Sequence, residues 1–211
     1  MISIKLNGDE KSCETIGFIN ELGYEFRATV ANIDLLSDCE AFIRYIGDYV
    51  ETGATILSGE TISYGYWLVK ASLDNDKRMS FMEYNSDATE FIVGIDNAVR
   101  YRKEQQCICD KVASEFDPIR PDKLIVISDG VYEGDVVEGV RYPVTEAMSG
   151  WWISTDRYNG DIKSLKTVHA YHVTGKRPDL TQFLALTVGH RFRSQPLDVW
   201  FDDAATKKGK R

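Results

Sequence analysis

The chain reads as an α+β protein of two lobes, each a mostly antiparallel sheet with packed helices. Three observations lead there. Strand-length runs, either alternating or wholly apolar, recur along its 211 residues. Segments of helical period fall among them in the order β-α-β-α-β-β-α over the first half. Two prolines, Pro118 and Pro121, then interrupt the pattern within 115–123, and each disfavours helix in the residue before it. That segment is the expected boundary, with an N-terminal α+β domain over 1–117 and a second domain over 122–206.

Ile2 to Leu6 alternates and predicts a strand, closed by the turn residues Asn7, Gly8 and Asp9. Ser12 to Leu22 reads as a short helix. Ser12 is placed to cap it, Ile16, Ile19 and Leu22 recur at helical spacing, and Gly23 sits at the C-terminal cap. Tyr24 to Asn32 predicts a strand with Phe26, Ala28 and Val30 on one side. Ser37 and Glu40 match a capping box opening a helix, whose apolar face is Phe42, Ile43, Ile46 and Val50. Thr61 to Leu73, rich in aromatic and β-branched residues, predicts one long strand. Arg78 to Tyr84 returns from it as a hairpin. A helix from Ala88 to about Ser114 is the longest expected element.

After the prolines, Lys123 to Ser128 reads as a central strand. Residues 129–139 form a turn-rich loop. Its acids Asp129, Glu133, Asp135 and Glu138 do not match the alternating ligand positions of a calcium loop. Trp151 to Thr155 predicts a strand with Trp151 and Ile153 on one face and Trp152 on the other. A loop with the turn pair Asn159 and Gly160 follows. Thr167 to Val173 alternates as a strand. Pro178 opens a short helix with Leu180, Phe183, Leu184 and Leu186 on its apolar face. Gly189 ends it, and Leu197 to Phe201 reads as a final strand. His190 is assigned to a loop.

Composition narrows the classes of function. The net charge is -8, with 21 acidic against 12 basic residues before position 121 and 12 against 13 after it. An acidic surface repels a phosphate backbone and suits a basic protein partner, so nucleic acid is not expected. Lys207, Lys208, Lys210 and Arg211 form a basic tail, read as solvated. The four cysteines, Cys13, Cys39, Cys107 and Cys109, lie in no CxxC pair and read as reduced thiols. No apolar run reaches transmembrane length, and MISIKLNGDEK lacks a signal-peptide pattern. A cytoplasmic protein without a membrane partner is expected.

Catalytic patterns are missing. No GxSxG frames a serine, no P-loop or GxGxxG occurs, and His169 and His172 form neither HExxH nor HxH. No catalytic residue, metal site or cofactor is expected, and the histidines read as structural or surface groups. The segment from Ser149 to Phe192 concentrates Trp151, Trp152 and all three histidines. Its strand-to-loop portion offers Trp152, Asp156, Arg157, Tyr158 and Asp161 as candidate partner-binding residues, since aromatic and arginine anchors dominate interface energetics.

One ordered set of short motifs goes further. It begins with Val126, Ile127, Ser128 and Asp129, then Ser149, Gly150, Trp151 and Trp152, with Asp156, Asp161 and His169. It closes with Pro178, Asp179 and Leu180, Leu184 to Leu186, Gly189, and Arg191 with Phe192. Over residues 122 to about 200 this resembles the immunity protein 33 family of bacterial polymorphic toxin systems. It departs from that pattern in the additional tryptophan and in His190. The resemblance implies a non-enzymatic antitoxin whose partner is a cognate toxin, a basic one given the acidic first half. It leaves residues 1–120 uncovered. Two other readings stay open at this point: an enzyme with a cleft near Tyr158, His169 and His172, and a structural or adaptor domain.

Overall fold

The computed structural model describes residues 2–144 and 147–207. The basic-tail residues Lys208, Lys210 and Arg211 lie outside them. The chain forms two compact units, 1–103 and 104–211. Both are α+β.

In the first unit the strands are β1 (Ser3–Asn7), β2 (Ser12–Ile16), β3 (Glu25–Thr29), β4 (Thr61–Tyr64), β5 (Trp67–Leu73), β6 (Arg78–Tyr84) and β7 (Phe91–Val93). They make one sheet in the order β1-β2-β3-β6-β5-β4, with β7 also on β6. Of its paired strands, β3 and β6 run parallel and the others antiparallel. The helix α1 (Ile19–Leu22) is a single turn. The helix α2 (Leu36–Glu51) packs Phe42, Ile43, Ile46 and Val50 inward, as its periodicity predicts. Phe42 meets the rings of Tyr64 and Phe81 edge-on, each at 4.9 Å. A Cβ on Gly47 would stand 2.5 Å from Ile2, so α2 carries glycine where the β1 end of the chain crosses it closely.

Several elements differ from expectation. Ser12–Ile16 is a strand, not the start of a helix, and helix is confined to Ile19–Leu22. Ser12, Cys13 and Thr15 are buried there, and pairing on both sides by β1 and β3 overrides the helical spacing of Ile16, Ile19 and Leu22. Gly23 does adopt the left-handed cap. No capping box forms, because α2 already begins at Leu36. Asn32 instead accepts the Asp34 N–H and caps the turn Ile33–Leu35, while Glu40 pairs with Arg44 at 2.8 Å. The expected long strand folds back at Gly65 and Tyr66 into the hairpin of β4 and β5. Gly65 has φ of 67°, which a glycine adopts without strain. Residues 91–93 are strand β7, and the long helix α3 (Asp96–Lys111) starts later than expected. Its first amides are met by Glu83 of β6, whose carboxylate accepts Asn97 N–H at 2.9 Å and Ala98 N–H at 2.6 Å.

The second unit has the strands β8 (Leu124–Ile127), β9 (Glu138–Arg141), β10 (Met148–Ser154), β11 (Lys166–His169), β12 (His190–Arg193) and β13 (Asp198–Phe201). Their order is β11-β8-β10-β9-β12-β13, antiparallel except for β8 and β10. Trp151, Ile153, Phe192, Ile125 and Ile127 fill one face. The 3-10 turns Pro178–Phe183 cover that face, with Phe183 stacked on Phe192 at 4.0 Å. The alternating run 167–173 is split: β11 ends at His169 and Ala170–Lys176 forms α4. His190 belongs to β12, not to a loop.

The division between units falls inside α3, upstream of the two prolines. The proline segment itself is bonded into the second unit. Asp117 and Ile119 donate their backbone N–H groups to the carbonyls of Ala185 and Leu184, and Ile119 is buried. Arg141, buried on β9, donates to the carbonyls of Asp117, Leu186 and Ser149. That arginine gives three separate chain segments a buried donor for their carbonyls.

Candidate functional site

Strand alternation creates the site. In β10 the core takes Trp151 and Ile153, so Trp152 must emerge on the opposite face. The register extends this face across the sheet. Thr167 pairs with Val126, Val126 with Trp152, Trp152 with Val140, Val140 with Arg191, and Arg191 with Trp200. Directly paired residues share a face, so six strands contribute one cross-strand row centred on Trp152. The Trp152 ring meets Tyr142 edge-on at 6.2 Å. A recess of about 150 Å³ beside it is lined by Trp152, Tyr142, Tyr158, Leu165 and Arg191 among others. The three rings are half-buried.

The loop after β10 is held from below. Thr155 donates its hydroxyl to the Asp129 carbonyl at 2.6 Å, and its N–H to the Ser128 hydroxyl at 3.0 Å. Tyr158 N–H donates to the Thr155 carbonyl at 3.2 Å, which turns the chain so that Tyr158 reaches the recess. Gly160 takes φ of 90° in the expected turn. Asp161 accepts the Lys163 N–H at 2.9 Å and caps the short turn Ile162–Ser164.

Asp156 and Arg157 line a second, wider opening of about 960 Å³ together with Asp135, Glu138, Arg193 and Gln195. Arg157 pairs with Asp135 at 2.7 Å and Arg193 with Glu138 at 3.7 Å. Asp135 and Glu138 are thereby matched to cations, which braces this side of the loop. Lys166 joins it at 2.7 Å from Asp129 and holds that carboxyl below its ordinary value. Asp156 stands exposed with no ion pair among the described residues. Trp152 and Tyr158 therefore share one recess, Asp156 and Arg157 share the neighbouring opening, and Asp161 shapes the loop between strand and recess.

Sequence reasoning missed Tyr142, Arg191 and Trp200. Arg191 was legible from alternation: once Phe192 is core, Arg191 and Arg193 must lie on the other face. Tyr142 and Trp200 enter through register, which no local pattern encodes.

The histidines form a different picture. His169 donates Nδ1–H to the Asp122 carbonyl at 2.9 Å and stacks on Tyr171 at 5.2 Å. His172 lies 6.1 Å from His169, ring to ring. Neither lines the recess that Tyr158 borders. His190 is buried beside Thr187, and burial lowers its pKa. Among the described residues no group of three or more His, Cys, Asp or Glu could hold a metal ion, and no helix is long and apolar enough to cross a membrane. Cys13, Cys39, Cys107 and Cys109 are all free thiols.

Residues 104–202 match the family model of the Imm33-like domain. The match begins where the second unit begins and contains the whole aromatic face. Comparison with curated proteins and with solved structures found no match.

Proposed function

We propose, from the match of residues 104–202 to the Imm33-like domain family, that the protein is an immunity protein that binds and neutralises a cognate bacterial toxin in the cytoplasm. The observation that carries this reading is the coincidence of the family match with a unit whose exposed feature is an aromatic sheet face, not a set of converging catalytic groups. Inhibition follows from occlusion: a protein that covers a toxin's active surface needs complementary shape and anchors, and no chemistry of its own.

Trp152 and Tyr158 are the proposed anchors, with Arg157 and Asp156 as polar partners beside them. Asp161 contributes by fixing the loop. Aromatic anchors in a supported recess lose little side-chain freedom on binding, which is why such residues carry interface energy out of proportion to their number. The first unit carries 17 acidic against 10 basic residues, and this charge would speed encounter with a basic toxin at low salt.

Co-expression with the product of the neighbouring gene tests the reading. Growth rescue with recovery of a complex of the two proteins is the expected outcome. Unrelieved toxicity, with the protein folded and no complex, would refute it.

A further inference from the structure

Two of the cysteines meet in the core of the first unit. Cys13 lies on β2, in register with Ala28 of β3, and both are buried on one face of the sheet. Cys39 lies one turn into α2 and heads the buried stripe that continues through Phe42, Ile43 and Ile46. The helix packs on β2, and both thiols are shut off from solvent.

The two side chains are hydrogen-bonded to each other. Cys13 Sγ donates to the Leu36 carbonyl at 3.6 Å, which leaves its sulfur to accept the Cys39 S–H. That order makes the thiols unequal. The bond from Cys39 lowers the Cys13 pKa, against burial and the Glu40 charge, which raise it. Cys39 is raised, first by the same bond and then by burial, and the Asp96 charge adds to the rise. Cys13 is therefore the thiol that ionises first, and the thiolate is the reacting form.

The other cysteines are placed differently. Cys109 is buried on α3, donates to the Ala185 carbonyl at 3.6 Å, and burial pushes its thiol up to about 11. Cys107 is exposed, and two positions apart on a helix the two do not face each other.

We propose that Cys13 and Cys39 form a site of reversible oxidation, with a hydroperoxide as oxidant and a disulfide between β2 and α2 as product. With hydrogen peroxide, the Cys13 thiolate attacks one oxygen, the O–O bond breaks, and the departing hydroxide takes a proton and leaves as water. Cys13 then carries a sulfenic acid. The Cys39 sulfur attacks the Cys13 sulfur, the S–O bond breaks, and the Cys39 proton leaves with the hydroxide as a second water. Two thiols lose two electrons and the peroxide gains them. Burial restricts entry to a molecule of this size during local opening of the α2 packing. The proposal does not depend on the immunity reading.

The full chain, folded in buffer without denaturant, is treated with hydrogen peroxide. Remaining thiols are alkylated on unfolding, and the peptides are mapped by mass spectrometry without reduction. The Cys13 and Cys39 peptides are expected joined, about 2 Da lighter than their reduced sum, with Cys109 still alkylated and both thiols restored by dithiothreitol. Exposed Cys107 gauges the reaction. Recovery of Cys13 and Cys39 as thiols once Cys107 is fully oxidised, or their joining to Cys107 or Cys109 rather than to each other, would overturn the proposal. The order of attack is read from a Cys39→Ala variant, in which Cys13 should keep its sulfenic acid and be trapped by a cyclic 1,3-diketone on unfolding. Absence of that adduct in the folded variant would overturn the role given to Cys13. If the variant does not fold, the map of the wild type decides the disulfide on its own.

Discussion

Individual side chains account for much of what the two units do. Gly139 on β9 faces Phe192, and a Cβ there would come within 2.1–2.8 Å of three atoms of that ring. The ring is already stacked on Phe183 at 4.0 Å and has no room to withdraw. Gly139→Ala is therefore expected to cost about 1–3 kcal/mol, measured by urea unfolding. Glu83 behaves differently. Burial pushes its carboxyl up to about 7, against the lowering effect of the Asn97 and Ala98 N–H groups that it accepts. The native carboxyl thus holds its proton to higher pH than the unfolded one, which releases it near 4.5. The native state binds more protons in that window, so this contribution is complete below the unfolded value and is lost as pH rises through about 7, by roughly 3 kcal/mol at most. Comparing wild type with Glu83→Gln by urea unfolding at pH 5 and pH 8 isolates it. Wild type should lose more stability than the variant over that interval, and parallel profiles would contradict the assignment. The Trp151 and Trp152 pair was legible residue by residue, because alternation alone separates the core ring from the exposed one. Glu83 was not legible, because its partners are fourteen and fifteen positions away.

At the scale of elements, periodicity succeeded where packing agreed with it. The apolar stripe of α2, the β6 strand, the central β8 and the turns after Pro178 all lie where their patterns indicate. Two of the misread segments share one cause. Ser12 to Leu22 and Ala88 to Ile95 have helix-compatible spacing, yet sheet neighbours were available to pair Ser12–Ile16 and Phe91–Val93. Strand pairing is a non-local choice, and a single segment does not reveal it. The proline segment is a related case: prolines mark where helix stops, and the hydrogen bonds from Asp117 and Ile119 decide which unit the segment joins. Arg141 secures that junction. Replacing it by methionine would leave the carbonyls of Asp117, Leu186 and Ser149 without their donor and remove the ion pair with Asp117. A loss of about 3 kcal/mol is expected in chemical denaturation, larger than a surface arginine would produce.

Across the whole molecule, the two units divide the labour of recognition in the reading proposed above. The second unit, which matches the Imm33-like family model, offers an aromatic sheet face with a braced loop. The first unit offers the greater share of negative charge. Steering by that charge predicts an association rate that falls as salt rises, while the dissociation rate, set by the aromatic anchors, changes little. Stopped-flow mixing at two ionic strengths checks it; salt-independent association would assign the acidity to solubility alone. The candidate site was half legible. Trp152 and Tyr158 were visible as rings on a strand and its loop. Tyr142, Arg191 and Trp200 complete the face only through the order β8-β10-β9-β12-β13, which assembles residues up to seventy-four positions apart, from Val126 to Trp200. The most direct test of recognition by this face is calorimetric titration of the cognate toxin domain into wild type and into a folded Trp152→Ala variant. A one-to-one complex that weakens by about 2 kcal/mol, roughly thirtyfold, in the variant is the expected result. Equal affinity of the two proteins, or no complex with wild type, would contradict it.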